Sequence, residues 1–231
     1  GSGNDIIIGG NGSDTITDSG GRNVIIGDRG TVQLLNGLPT RAVSDLSIQA
    51  GDDKITTAGG GDAIIGGGGN DTISSGVARI VVVPGVGNVS IAAGAGNNYV
   101  LGDDGTINFV SASPANSALN LSGFDGNDTI TTGAGRDVIF TGNGDNTVEA
   151  GAGNDDAIGG SGIDSLHGEA GNDWLVGMLG DDTLDGGLDN DVMFGGLAIG
   201  LRSNYRLGTE DFTLPPEFEV WEALYPTGYT P

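Results

Sequence analysis

The chain has 231 residues, 47 of them glycine and none cysteine, and its 31 acidic side chains outnumber 8 basic ones to give a net charge of -23. That field disfavours bare nucleic acid and anionic membrane, both of which need a basic patch, and it opposes compaction until cations neutralise it. A disulfide scaffold is excluded and no apolar run reaches membrane-spanning length; Ile, Leu and Val recur at fixed intervals, so disorder is expected of the metal-free chain only.

Residues 1–26 read as nonapeptides, two complete and one lacking its first residue, of the kind "GGNGSDTIT" at 9–17. Their sixth positions hold Asp5, Asp14 and Asn23, and their eighth positions hold Ile7, Ile16 and Ile25. The chain begins inside a repeat with no secretion signal or initiator Met and is read as a fragment of a longer protein. Residues 27–47, "GDRGTVQLLNGLPTRAVSDLS", break the period. Alternation in Thr31-Val32-Gln33-Leu34 and Leu46-Ser47-Ile48 predicts two strands joined by a wide loop, with an enlarged coil favoured over a protruding hairpin. Asp28, at its start, suits either a capped turn or an added ligand.

Six nonapeptides follow over 48–101, with Asp53, Asp62, Asp71, Ile80, Val89 and Asn98 at the sixth position. Within them the stretch 75–92 is poor in ligands, and the segment 78–93, "ARIVVVPGVGNVSIAA", is expected to be held by extra Val and Ile burial, with Pro84 opening a turn. Residues 102–122 form a second insert offset by 75, so that Gly102, Asp103, Gly105 and Pro114 match Gly27, Asp28, Gly30 and Pro39. Residues 123–194 then supply Asp128, Asp137, Asn146, Asp155, Asp164, Asp173, Asp182 and Asp191 in unbroken register. Residues 195–231 leave the pattern and read as a cap or linker. A short helix from Pro216 to Leu224 is expected there, or a contact surface anchored by Phe218, Trp221 and Tyr225.

Glycine at the second and fourth positions of each unit permits positive φ and lets carbonyls turn inward, so the turn becomes a ring of oxygens. Gly10, Gly12, Gly67, Gly69, Gly133, Gly135, Gly151, Gly153, Gly160, Gly162 and Gly171 mark these carbonyls. The three residues after the aspartate read as a short strand with the eighth side chain pointing inward and its neighbours outward. One aliphatic residue in nine does not offset the entropy of ordering the rest. A hard cation taking six to eight oxygens does, and carboxylate plus carbonyl is a calcium donor set. Asp and Asn stacked in metal-free turns are the alternative.

These tandem copies resemble the RTX, or haemolysin-type calcium-binding, nonapeptide repeats of pattern G-G-x-G-x-D-x-U-x. The resemblance implies an all-β, right-handed parallel β-roll of roughly ten coils, with several Ca2+ ions along both rows of turns. Each ion is then expected between same-side turns 18 residues apart. Two carboxylates meet that spacing in Asp53/Asp71, Asp137/Asp155, Asp155/Asp173, Asp164/Asp182 and Asp173/Asp191. Asp5/Asn23, Asp128/Asn146 and Asn146/Asp164 offer one carboxylate and an amide, expected to bind more weakly. Family membership also implies folding on calcium, type I secretion and an extracellular or cell-surface setting within a bacterial toxin, adhesin or surface protein.

A self-assembling surface-layer or adhesin scaffold with lateral self-contacts is the alternative, and the repeat module of a secreted hydrolase or epimerase is the second. Neighbouring domains of a longer chain are the other expected partners, with no nucleic acid and no membrane span. No G-x-S-x-G or H-E-x-x-H occurs, so catalysis is not expected in this segment. His167 is expected on the surface, and Trp174 either exposed or against a neighbouring chain. The pairs Thr15/Thr17 and Thr129/Thr131 resemble ice-binding threonine arrays but are read as not sustained along a face.

Overall fold

The computed structural model describes residues 1–45, 50–77, 81–96, 98–101, 105–111, 113–121 and 126–196. Each nonapeptide makes one turn and one short strand, and successive strands alternate between two parallel sheets. Among the described residues the first sheet stacks nine strands: Ile6–Ile8, Val24–Ile26, Ala63–Gly68, Val81–Val86, Tyr99–Leu101, Val138–Asn143, Asp156–Ser161, Trp174–Val176 and Val192–Phe194. The second stacks eight: Thr15–Asp18, Lys54–Thr57, Thr72–Ser74, Ser90–Ala92, Thr129–Thr131, Thr147–Glu149, Ser165–His167 and Thr183–Asp185. The result is a parallel β-solenoid of about 8 turns. Pairing is strictly in register, as in Ile139 opposite Ala157 opposite Leu175, so each repeat position becomes a column along the axis.

The eighth-position columns meet inside. Ile25, Ile64, Val82, Ile139, Ala157 and Leu175 from the first sheet face Ile55, Ile73, Ile91, Ile130, Val148 and Leu166 from the second, all essentially sealed from water. This file of side chains is the centre of the core, and the expected inward column holds through the middle of the solenoid and loosens at its ends, where Ile7 and Leu184 are partly buried and Met193 is exposed.

The expectation of outward neighbours holds for only one sheet. On the second sheet the seventh and ninth residues face outward and are polar except Ala92, and stacking turns the seventh into a column of Thr15, Lys54, Thr72, Ser90, Thr129, Thr147, Ser165 and Thr183. The hydroxyl array is thus sustained along that face, broken only by Lys54. On the first sheet the same positions are apolar except Asp156, which pairs with Arg136, and Val24, Ile26, Ala63, Ile65, Val138, Phe140 and Val176 are buried.

The cover comes in part from the two inserts, which are hairpins and not enlarged coils. Gly30–Leu35 pairs antiparallel with Leu38–Ser44, Gly105–Ser111 with Ser113–Leu121, and the two hairpins join through Leu38–Ser44 and Gly105–Ser111 into one four-stranded sheet. The first hairpin turns through Asn36 and Gly37 at φ 54° and 80°, the pair of positive values a tight hairpin demands. Its second strand lies on Val24–Ile26 and Ala63–Gly68, and the second hairpin lies on Val81–Val86. Gly30 sits so close to Ile26 that a Cβ there would be 2.6 Å from its Cδ1. With the inserts looped out, fewer coils remain than the expected ten.

Pro84 falls inside the strand Val81–Val86 and opens no turn. Trp174 stacks in tilted contact with Phe194, ring centroids 5.7 Å apart. The expected strand segment at 46–48, Ile80, Asp103 and the cap with Pro216, Phe218, Trp221 and Tyr225 lie outside the described residues.

The last turns carry backbone strain. Glu169 and Met178, both at the second repeat position, adopt φ of 73° and 80°, whereas Gly151 and Gly187 hold the same position at 92° and 87°. A left-handed conformation costs a residue with a Cβ about 1–2 kcal/mol, partly offset by the greater unfolded-chain entropy of glycine. Met178→Gly is therefore expected to stabilise the fold by about 1 kcal/mol, read as a raised melting temperature in saturating calcium; an unchanged or lowered value would mean Met178 packing outweighs the strain.

Candidate metal centre

The sixth-position residues form two rows of turns, one before each sheet. Before the first sheet stand Asp5, Asn23, Asp62, Asn98, Asp137, Asp155, Asp173 and Asp191. Before the second stand Asp14, Asp53, Asp71, Val89, Asp128, Asn146, Asp164 and Asp182. Within a row, each carboxylate or amide Oδ1 accepts the backbone N–H of the sixth residue one coil earlier. Examples are Asp53 N–H to Asp71 at 2.8 Å, Asp137 N–H to Asp155 at 2.8 Å, Asp155 N–H to Asp173 at 2.8 Å and Asp164 N–H to Asp182 at 3.0 Å. This ladder explains the aspartate without any metal, but it uses one oxygen of two.

The other oxygen is stranded. Oδ2 of Asp14, Asp53, Asp71, Asp155, Asp173 and Asp182 is buried with no hydrogen-bond partner. A buried, unpaired carboxylate oxygen is among the costliest groups a fold can hold. Burial accordingly pushes Asp155 up to about 8, Asp71 to about 7 and Asp53 to about 6, with neighbouring carboxylates adding to the rise. Burial likewise lifts Asp137 to about 6.

Backbone oxygens converge on the stranded ones. A Cβ placed on Gly27 would lie 2.5 Å from the Gly66 carbonyl O while touching Asp53 Oδ2, and one on Gly168 would lie 2.7 Å from the Gly186 carbonyl while touching Asp173 Oδ2. Oxygens from adjacent coils thus bound a space with room for no side chain. Among the described residues, no three His, Cys, Asp or Glu side chains gather into a cage. The donor set is one carboxylate per turn completed by carbonyls, which fits a hard cation of tolerant geometry.

The named glycines divide into two kinds. Gly10, Gly12, Gly67, Gly69, Gly135, Gly151, Gly162 and Gly171 have positive φ. Gly133, Gly153 and Gly160 are glycine for closeness instead: a Cβ on Gly133 would stand 2.8 Å from Ala95 N, and on Gly153 or Gly160 it would strike the carbonyl of Gly135 or Gly142. The carbonyls of Gly133, Gly151 and Gly160 each accept an N–H from the next coil, from Ala152, Ala170 and Leu179.

Two features escaped the sequence reading, and Asp28, expected as a capped turn or an added ligand, gains a defined place. Pairing at 18 residues misses Asp14 and Asp53, adjacent across the first hairpin at a separation of 39, where Asp14 N–H donates to Asp53 at 2.8 Å; subtracting the 21-residue insert would have found them. Asp28 is buried and accepts from Gly51 N–H at 3.1 Å and Gly68 N–H at 2.8 Å, clamping the base of the hairpin to the next coil beside Asp53 and Asp71. Fifth-position side chains make a second, exposed ladder, as in Asn70 N–H to Asp52 and Asn190 N–H to Asn172. His167, half-buried on the outer face of the second sheet, keeps Nε2 2.9 Å from Ser165 Oγ.

The model of the RTX calcium-binding nonapeptide repeat, a four-copy unit, matches residues 1–34, 49–77, 85–106, 122–157 and 158–197. No curated protein matches the chain. The gaps between matches fall largely on the two hairpins, and the matched residues contain both rows of stranded carboxylates. The chain belongs to the RTX calcium-binding repeat family and is a module that binds several Ca2+ ions.

Proposed function

We propose that this module is the calcium-triggered folding unit of an extracellular bacterial protein, exported unfolded through a type I secretion channel and folded where calcium is abundant. The stranded, buried Oδ2 atoms carry the reading, because the solenoid without cations accumulates uncompensated carboxylates in a chain already at -23. Asp14, Asp53 and Asp71 with Gly10, Gly12, Gly67 and Gly69 supply one group of ligands. Asp137, Asp155, Asp173 and Asp191, with carbonyls at Gly133, Gly135, Gly151, Gly153 and Gly171, supply a second. Asp164 and Asp182 with Gly160 and Gly162 supply a third, and Asp5, Asp62 and Asp128 contribute single carboxylates.

Bound calcium neutralises the turns and bridges successive coils, so binding free energy is folding free energy. Magnesium, smaller and reluctant to shed water, does not replace it in turns built from carbonyls. Far-ultraviolet circular dichroism of the chain in chelator, titrated with calcium and separately with magnesium, tests this. A coil spectrum that becomes β-rich cooperatively with calcium only is the expected result. A β-rich spectrum in chelator that ignores calcium would remove the reading.

A further inference from the structure

Asn23, Asn98 and Asn146 interrupt the carboxylate rows, and their amides face the turns with a donor where aspartate presents a bare oxygen. The orientation at Asn23 and Asn146 is fixed by the ladder: Asn23 Oδ1 accepts Asp5 N–H at 2.9 Å, and Asn146 Oδ1 accepts Asp128 N–H at 2.9 Å. Turning either amide over would set N–H against N–H. Nδ2 of Asn146 therefore donates to the Gly144 carbonyl of its own turn at 3.1 Å. Asn98 Nδ2 donates to the Gly94 carbonyl at 2.8 Å, and Asn23 Nδ2 donates to Asp18 Oδ2 and Asp62 Oδ1, both at 3.0 Å.

We infer that these asparagines are calcium-excluding plugs and not weaker calcium ligands. Resting on the calcium reading above, this sets where the ions sit. A cation in such a turn would meet a positive amide edge where the other turns present a bare carboxylate oxygen. The plugged turns are closed rungs, satisfied without metal, and they divide the sites into clusters. In the row before the first sheet, Asn23 precedes Asp62, and Ile80 and then Asn98 follow it in repeat order, so the uninterrupted run begins at Asp137 and continues through Asp155, Asp173 and Asp191. Before the second, Val89 ends the run Asp14, Asp53 and Asp71, and Asn146 separates Asp128 from Asp164 and Asp182. Calcium then holds one edge of the solenoid in its first half and both edges in its second.

The count of bound ions separates plug from ligand. Equilibrium dialysis against radioactive calcium, backed by native mass spectrometry, is applied to the unaltered chain, Asn146→Ala and Asn146→Asp. Asn146→Ala is expected to leave the number of bound ions unchanged, and Asn146→Asp, nearly isosteric and with the ladder acceptor kept, to raise it by one. Loss of an ion in Asn146→Ala, or an unchanged count in Asn146→Asp, overturns the inference. If Asn146→Ala does not fold, the Asn146→Asp count decides by itself. An unaltered chain that binds no calcium would instead defeat the family-based reading beneath it, an outcome the same dialysis distinguishes.

Discussion

Asp155→Ala is expected to leave the second half of the solenoid unfolded at calcium concentrations that hold the unaltered chain folded, with the calcium midpoint raised at least about tenfold. Asp155 lies in the middle of the longest carboxylate run, between Asp137 and Asp173, so its loss weakens the turns on both sides. It also strips the acceptor from Asp137 N–H, which lies 2.8 Å from Asp155 Oδ1 in a buried turn. An orphaned buried donor costs about 1–3 kcal/mol before any metal is counted. Asp155→Asn separates the two losses: the amide Oδ1 keeps the ladder bond while Nδ2 replaces the stranded oxygen with a donor. Asp155→Asn is therefore expected to hold more β-structure than the unaltered chain in chelator and yet to bind less calcium. Circular dichroism gives the midpoints, and hydrogen exchange shows whether lost protection falls within residues 126–196. A raised midpoint in Asp155→Ala beside an unchanged one in Asp155→Asn would show that Asp155 serves the backbone only.

The fold was legible wherever one residue type meant one position. Ile130, Ile139 and Leu175 lie inside because a three-residue strand has one inward side chain, and a nine-residue period repeats that choice without slipping. The difference between the two sheets was equally present in the letters, as Thr129 and Thr131 against Val138 and Phe140, but it has a period of 18. Treating every nonapeptide as equivalent averages it away. The hairpin was signalled by Asn36-Gly37 between alternating residues, which outweighs the wide proline loop that suggested a coil.

The site was half legible. Aspartate at the sixth position located the carboxylates, whereas their pairing across inserts depends on what loops out. The direction of each amide depends on hydrogen bonds that composition does not encode. Asn146 and Asp164 read as neighbouring ligands of unequal strength, but in the folded turn the ladder commits Asn146 Oδ1 and sends its NH2 the other way.

Acid is expected to fold the calcium-free chain. Burial raises Asp155 to about 8, Asp71 to about 7 and Asp53 and Asp137 to about 6, and also lifts Asp28, Asp62, Asp164 and Asp173. In the unfolded chain these groups titrate near the ordinary aspartate value of about 3.9. Between about pH 4 and 8 the folded state thus binds more protons than the unfolded state, so stability falls as pH rises through that window. Below it both states are protonated and the gain levels off. In chelator, the β-signal at pH 5 is expected to exceed that at pH 8. In calcium the dependence reverses, because protons and Ca2+ compete for the same oxygens and the calcium midpoint rises on acidification. Paired titrations at the two pH values check both signs. A chelated chain no more ordered at pH 5 than at pH 8 would mean that the carboxylates are not what keeps the metal-free solenoid open.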